Sequence, residues 1–181
     1  MVNAYQKMLT FSFTLMLGMV LSLVTAEEAS AYNWTRTLSE GSSGTDVREL
    51  QIRVAGWAAD SPQQTVVSVD GQFGPGTKAA VIRFQRAYGL SADGVVGPQT
   101  QAKLNELESP NGTKHFSYSE FYSKDGSGFN GGNVSATTVR ENVRRMMYKL
   151  EAIRVKIGNR PMNVNSGFRS ISHNRNVGGA S

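Results

Sequence analysis

A ten-residue motif that occurs twice, 23 residues apart, constrains the fold of this chain more than any other feature. The motif reads DGQFGPGTKA at residues 70–79 and DGVVGPQTQA at residues 93–102. In both copies Asp-Gly favours a tight turn, because Gly tolerates positive φ. Gly-Pro then favours a helix start, because Pro at the first helical position loses no hydrogen bond that the helix needs. The repeat therefore predicts two turn-plus-helix units.

Hydrophobic periodicity predicts three short helices in this half of the chain. The first begins near Thr45 or Asp46, the second extends from about residue 75 to 88, and the third from about 98 to 107. Each is too short to be stable alone, so we expect the three to pack on one another. The predicted inward-facing residues are Val47, Leu50 and Val54, then Val81, Phe84 and Tyr88, then Leu104 and Leu107.

One long amphipathic helix dominates the second half. It follows Ser135, a favourable N-cap, and Gly158 ends it. A linker is predicted at residues 109–113 and a strand at residues 162–166. The apolar stripe of the helix comprises Val139, Val143, Met146, Met147, Leu150, Ile153 and Ile157.

The elements together predict a mainly α fold with a poorly packed end. A sheet needs about three strands, or a covering partner, for independent stability. Residues 117–181 offer one long helix and one clear strand. We therefore expect this region to be poorly packed and the stripe from Val139 to Ile157 to be partly exposed.

The N-terminus has the pattern of a signal peptide. Lys7 precedes an apolar run at residues 8–24, and Ala29-Ser30-Ala31 provides a small-x-small cleavage site. An uncleaved membrane anchor is the alternative, although the run is short for a bilayer core, which takes roughly 20 residues to span. Cleavage after Ala31 predicts a secreted protein that starts at Tyr32 and has no membrane contact.

The charge of the chain favours an anionic partner. The formal net charge is +5, and it becomes +6 once residues 1–31 are removed. Basic proteins bind nucleic acid, lipid head groups or wall polymers. Export disfavours nucleic acid and favours the cell wall. A role of the charge in solubility alone is the alternative, and charge by itself does not decide between them.

The chain lacks the residues for several kinds of site. It has no cysteine and only two histidines, His115 and His173. Disulfides, thiolate zinc sites and cysteine nucleophiles are therefore excluded, and a histidine-rich metal site cannot be completed. We expect both histidines to be solvent-facing loop residues.

The first half resembles the bacterial peptidoglycan-binding domain over residues 35–108. The resemblance implies a three-helix domain that holds an attached enzyme on peptidoglycan. The residues that carry it are LSEGSSG at 38–44, Val47, LQ at 50–51, DGQFGP at 70–75, Thr77, AV at 80–81, FQ at 84–85, YGL at 88–90, DGVVGPQT at 93–100 and Leu104.

Four residues near the turns are candidates for contact with peptidoglycan. They are Arg48, Gln51, Gln72 and Gln85. The resemblance implies that ligand is bound in a shallow groove between helices. A plain surface role is the alternative for each of the four.

The second half resembles the zinc D-alanyl-D-alanine carboxypeptidases of streptomycetes and, more distantly, the D,D-peptidases of vancomycin resistance. The order of the two domains is also that of the streptomycete enzymes. The resemblance implies a zinc metallopeptidase that removes the terminal D-alanine of stem peptides. The residues that carry it are FSYSEF at 116–121, GNVSA at 132–136, MYKLEAIR at 147–154, VNSGFRS at 164–170 and NRNVGGAS at 174–181.

The zinc ligands of that family are not among these residues. In the family a Ser-x-His-x-x-Gly-x-Ala-x-Asp run supplies the first two ligands, and a third histidine follows later. Catalytic zinc needs three protein donors and an open water position. The resemblance therefore implies zinc in the complete family member and none bound by this chain.

Arg169 is the one catalytic residue that the resemblance carries over. The matching arginine of the family contacts the peptide carbonyl or the terminal carboxylate of the substrate. A guanidinium offers a rigid fork of donors to such groups. A strand-end arginine in a salt bridge is the alternative.

These observations predict a signal peptide at residues 1–31, a peptidoglycan-binding domain at 32–109 and the incomplete N-terminal part of an α+β zinc D,D-peptidase domain at 110–181. The predicted protein is a monomer of the cell wall. In its complete form it hydrolyses D-Ala-D-Ala. A non-catalytic peptidoglycan-binding protein is the alternative, and a spore-cortex or lytic hydrolase is disfavoured by the SGFRS context at 166–170.

Overall fold

The computed structural model describes residues 31–58 and 67–180. The predicted signal peptide lies outside these ranges, apart from Ala31. Within them, no helix combines the length and the apolar character needed to cross a membrane.

The three helices of the first half form as predicted. Helix α1 spans Thr45–Val54 and continues into a 3₁₀ turn at Ala55–Trp57. Helices α2 and α3 span Pro75–Ala87 and Pro98–Asn105, so both prolines begin a helix where the repeat places them. Gly71 and Gly94 have the same φ of 76°, which a residue with a Cβ rarely adopts.

These helices enclose one hydrophobic core, and the second half contributes to it. Leu50, Phe84 and Leu104 are completely buried at its centre. Tyr148 and Ala152 belong to the same cluster although they lie more than 40 residues after α3. The predicted boundary between two domains is therefore crossed by a shared core.

The predicted linker is a short β-hairpin. Strands β1 (Glu108–Ser109) and β2 (Gly112–Thr113) pair antiparallel, with Glu108 opposite Thr113. The linker is packed onto the protein, because Thr113 is buried against the long helix. The hairpin thus fixes the path of the chain between the two halves.

Helix α4 (Ala136–Lys156) confirms the predicted long helix. Ser135 caps it by accepting a hydrogen bond from Thr138 N at 3.1 Å. Its apolar side chains divide between two clusters, and a second cluster forms around Phe116, Phe121, Phe129 and Met147. The expected partial exposure of the stripe is confirmed at Met146 (48%), Ile153 (42%) and Ile157 (45%).

The predicted strand at residues 162–166 is wrong. This segment is irregular, with a bend at Asn165, and pairs with no strand in the described part of the chain. Alternating apolar residues favour a strand only where a neighbouring strand supplies hydrogen bonds. The first backbone hydrogen bond to another segment lies beyond residue 166, from Phe168 N to Phe121 O at 2.8 Å. A short helix, α5 (Ile171–Asn176), follows.

Close contact between the halves depends on Gly56. A Cβ at this position would lie 2.6 Å from Ala152 Cβ and 2.9 Å from Lys149 Cα. We expect Gly56→Ala to lower the free energy of unfolding by about 1–3 kcal/mol, because α4 would have to move away. Urea unfolding followed by circular dichroism measures this loss.

Gly74→Ala is the control, because a Cβ there meets nothing within 4 Å. It caps α2, where alanine costs at most about 1 kcal/mol relative to glycine. Equal losses in the two variants would contradict the close approach of α4 to the 3₁₀ turn.

Candidate functional site

Gln51 and Gln85, two predicted ligand contacts, hold the repeated turns. Both side chains are 1% exposed. Gln51 Nε2 donates to Asp70 Oδ1 at 2.8 Å and to Gln72 O at 2.9 Å, and its Oε1 accepts from Gly71 N at 2.8 Å. Gln85 repeats this pattern with Asp93, Val95 and Gly94 at 3.0, 2.9 and 2.9 Å.

Each amide therefore joins a helix to the turn that follows it. Hydrogen bonds from Gln51 and from Gln72 N lower the pKa of Asp70 below its usual range, and hydrogen bonds from Val95 N and Gln85 lower that of Asp93. The sequence carries a signal for this pairing, since an apolar residue followed by Gln occurs in both preceding helices, at 50–51 and 84–85. Contact of either amide with a ligand stays a prediction.

The other two predicted contacts are accessible. Gln72 is exposed at the first turn. Arg48 has a side chain that is 40% exposed, and its Nη2 lies 3.3 Å from Glu141 Oε1 of α4. Their role in ligand binding stays a prediction. Through its contact with Glu141, Arg48 lies where the two halves of the chain meet.

A buried ionic cluster joins α1, β1 and α4. Arg53 is 3% exposed, and its guanidinium contacts Glu108 and, at 2.5 Å, Glu49. Arg144 of α4 also pairs with Glu49. Burial alone would raise the pKa of Glu49, but hydrogen bonds from Arg144 and Arg53 outweigh it and lower the pKa to about 2.

The low pKa of Glu49 predicts acid sensitivity. A carboxyl whose pKa falls from 4.5 to about 2 on folding stabilises the protein fully above pH 4.5, and this stabilisation is lost as the pH falls towards 2. We expect its contribution to be at most about 3 kcal/mol. Urea unfolding at a series of pH values measures it.

The Glu49→Gln variant isolates this effect from those of the other acids. The difference in unfolding free energy between the unchanged protein and the variant should shrink as the pH falls from about 4.5 to 2. Parallel curves over this interval would rule out Glu49 as the group responsible.

A buried carboxylate also anchors the hairpin. Glu151 is 2% exposed and accepts hydrogen bonds from Thr113 Oγ1 and His115 N, both at 2.8 Å. His115 Nδ1 lies 2.7 Å from its second oxygen. His115 is an exposed loop residue, as expected, although its ring also contacts the buried Glu151 of α4. His173 lies in α5, and its backbone N donates to Ser170 Oγ at 3.0 Å.

Arg169 lies at the rim of a cavity of about 380 Å³ that Gly132, Asn133 and Phe168 also line. Its side chain is exposed, and its Nε donates to Ser166 Oγ at 3.4 Å. The alternative of a salt bridge finds no carboxylate partner among residues 31–58 and 67–180. The guanidinium is thus accessible, and its catalytic role stays a prediction.

The segment that carries Arg169 is fixed on both sides. Phe168 N donates to Phe121 O at 2.8 Å, and Ser170 N donates to Ser123 Oγ at 3.1 Å. Ser170 Oγ also bonds to Asp125. Hydrogen bonds from Ser127 and Ser170 hold the pKa of Asp125 far below its usual range.

The described residues do not fit a zinc centre. No group of three or more His, Cys, Asp and Glu side chains within them is arranged to hold a metal ion. A catalytic zinc ion needs three such donors. No chemistry is therefore assigned to a metal at this rim.

Each half of the chain matches a family model. Residues 43–104 match the family model of a putative peptidoglycan binding domain, and residues 114–181 match that of peptidase M15. The zinc D-Ala-D-Ala carboxypeptidase of Streptomyces albus G is 52% identical over 83% of this chain and 58% of its own length.

Two amidases match about a third of this chain. The N-acetylmuramoyl-L-alanine amidase CwlM of Mycobacterium tuberculosis is 51% identical over 36% of this chain and 15% of its own. The amidase CwlL of Bacillus licheniformis is 44% identical over 35% and 18%. The chain thus spans little more than half of the Streptomyces relative and a smaller share of the amidases.

Proposed function

Because this chain joins a putative peptidoglycan binding domain to a peptidase M15 segment and is similar to a zinc D-Ala-D-Ala carboxypeptidase, we propose that it is a secreted protein that binds peptidoglycan of the cell wall. The observation that carries the proposal is the complete repeat module, in which Gln51 and Gln85 hold both turns. The net charge of +5 favours an anionic polymer as partner.

Sedimentation with purified cell walls tests wall binding. The chain from Tyr32 onward should pellet with the walls and remain in solution without them. Arg48→Gln should reduce the pelleted fraction, because it removes an accessible charge from helix α1 of the module. Arg86→Gln, which removes an exposed charge from α2, is the matched control. A chain that stays in solution with the walls would refute the proposal.

We further propose a hydrolytic role for the protein in its complete form. A chain that covers the full length of the Streptomyces relative would hydrolyse the terminal D-Ala-D-Ala bond of stem peptides, with zinc ligands outside the described residues. Arg169 would hold the substrate carbonyl or carboxylate through its rigid fork of donors. The 52% identity over 83% of this chain supports this role.

Release of D-alanine tests the hydrolytic role. The product of the reading frame, extended to the relative's length and supplied with zinc, should release D-alanine from a peptide that ends in D-Ala-D-Ala. Arg169→Lys should lower kcat/KM by about 100-fold, because it removes the fork of donors, whereas Arg160→Lys should not. Failure of the extended product to release D-alanine would contradict the role.

A non-catalytic wall-binding protein is the second candidate. The lack of a three-donor group in the described residues favours it for the 181-residue chain. The same assay separates the two, because the 181-residue chain should then bind walls and release no D-alanine. Zinc-dependent release by this shorter chain would exclude the candidate.

A further inference from the structure

A cavity at the junction of the two halves is separate from the rim at Arg169. This junction cavity has a volume of about 200 Å³, and its polar lining includes Arg53, Glu108, Tyr118, Arg140, Arg144 and Tyr148. It shares no lining residue with the Arg169 cavity. Since a water molecule occupies about 30 Å³ of liquid, the space equals roughly six waters. A small polar group of a ligand would fit it.

Two buried tyrosines line the junction cavity without a hydrogen bond for their hydroxyls. Tyr148 is 3% exposed and Tyr118 is 8% exposed. Neither hydroxyl forms a hydrogen bond with any residue in the described ranges. Every fully buried polar side-chain atom in these ranges does have a hydrogen-bond partner, so the two hydroxyls are not fully buried. Both hydroxyls are therefore accessible to solvent, and both residues line the cavity. Burial raises the pKa of each phenol, so both remain protonated donors at neutral pH.

Arg140 supplies an uncompensated positive charge at the same place. Its Cζ lies 3.7 Å from the centroid of the Tyr118 ring. It forms no ion pair within the described part of the chain. A guanidinium stacked on a ring keeps its N–H groups free in its own plane. Arg140 is thus oriented to donate hydrogen bonds to a ligand.

The other charges of the cavity are already balanced. Arg53 and Arg144 pair with Glu49 and Glu108. Glu108 is occupied further by Tyr32 N, which donates to its Oε2 at 3.1 Å. One net positive charge therefore remains, and Arg140 and the two phenol hydroxyls are each able to donate a hydrogen bond.

We propose that the junction cavity binds one carboxylate of a peptide, with Arg140 and the hydroxyls of Tyr118 and Tyr148 as its hydrogen-bond donors. A carboxylate carries one negative charge and offers only acceptors, which matches three donors and one unpaired cation. A phosphate would bring up to two negative charges close to Glu108. The site requires neither hydrolysis nor a metal, so its test is independent of the proposed enzyme activity.

Titration of the whole chain with three small probes tests this site by NMR. N-acetyl-D-alanine should shift the amide signals of Ser109 and Gly112, which also line the cavity, and the shifts should saturate. N-acetyl-D-alaninamide, which lacks the carboxylate, should cause no saturable shift. Inorganic phosphate should bind more weakly than N-acetyl-D-alanine.

Three variants connect the signal to the proposed donors. Arg140→Gln should weaken binding of N-acetyl-D-alanine by at least about tenfold, because a charge-assisted hydrogen bond is lost. Tyr148→Phe keeps the ring and should weaken binding by about threefold or more. Lys149→Gln, which removes a charge from the exposed side of the same helix, should leave the affinity unchanged.

Several results would overturn the proposal. They are the absence of a saturable shift with N-acetyl-D-alanine, equal binding of the amide, tighter binding of phosphate, and equal losses in Arg140→Gln and Lys149→Gln. If a Tyr148→Phe variant retains its fold by circular dichroism and binds with unchanged affinity, the Tyr148 hydroxyl is not a donor at this site.

Discussion

Replacement of Arg53 by methionine should lower the free energy of unfolding by about 3–5 kcal/mol, the largest loss expected from a single substitution in this protein. The guanidinium is 3% exposed and contacts Glu49 and Glu108. Methionine fills much of the space but leaves two carboxylates in a poorly hydrated place with fewer donors. Urea unfolding at pH 7 measures the change through the shift in midpoint.

The position of Arg53 explains why the effect should extend across the molecule. Arg144 of α4 pairs with the same Glu49 as Arg53 does. The ring centroid of Tyr148, also in α4, lies 5.5 Å from Arg53 Cζ. Loss of Arg53 should therefore expose both halves to proteolysis together.

Lys78→Gln is the control for Arg53→Met. Lys78 and Glu40 form an ion pair with side chains that are 43% and 44% exposed, so the substitution should cost at most about 1 kcal/mol. A loss for Arg53→Met no larger than that for Lys78→Gln would show that the buried cluster contributes little.

Gln51→Leu and Gln85→Leu should each lower the free energy of unfolding by about 2–4 kcal/mol. Each substitution removes four hydrogen bonds, including the one accepted from the backbone N of Gly71 or Gly94. Gly71 and Gly94 are buried, so their backbone N would lose its partner without easily gaining water. Because the two turns have the same geometry, the two losses should be similar in urea unfolding.

Gln101→Leu is the matched control for these two variants. Gln101 also donates two hydrogen bonds to backbone oxygens, but it lies at the surface of α3. Water can replace its bonds, so the cost should stay below about 1 kcal/mol. If Gln51→Leu behaved like Gln101→Leu, the buried amide would not be what holds the turn.

Local patterns predicted the elements of the first half well. Gly-Pro in both copies of the repeat begins a helix at Pro75 and at Pro98, and Asp-Gly forms the preceding turn. Such patterns succeed because the preference of proline and glycine for certain φ values acts within a few residues. Ser135 predicted the start of α4 for the same reason.

The site residues were harder to predict, because their roles depend on partners that are distant in sequence. Gln51 was a candidate ligand contact, and its amide instead bonds to Asp70 19 residues later. Glu151 carried no local signal, although it binds Thr113 and His115 of the preceding hairpin. The segment at 162–166 alternates as a strand does, but no neighbouring strand is available in the described structure.

The sequence by itself determined the order of modules, the three helices, the long helix and their apolar faces, because each depends on short-range preferences and periodicity. Only the tertiary structure decided that α4 completes the core of the first module, that Arg53 and Glu49 form a buried cluster, and that Arg140 with two tyrosine hydroxyls lines one cavity. Burial and charge pairing are properties of surfaces that meet in space, and residues far apart in the chain create them together.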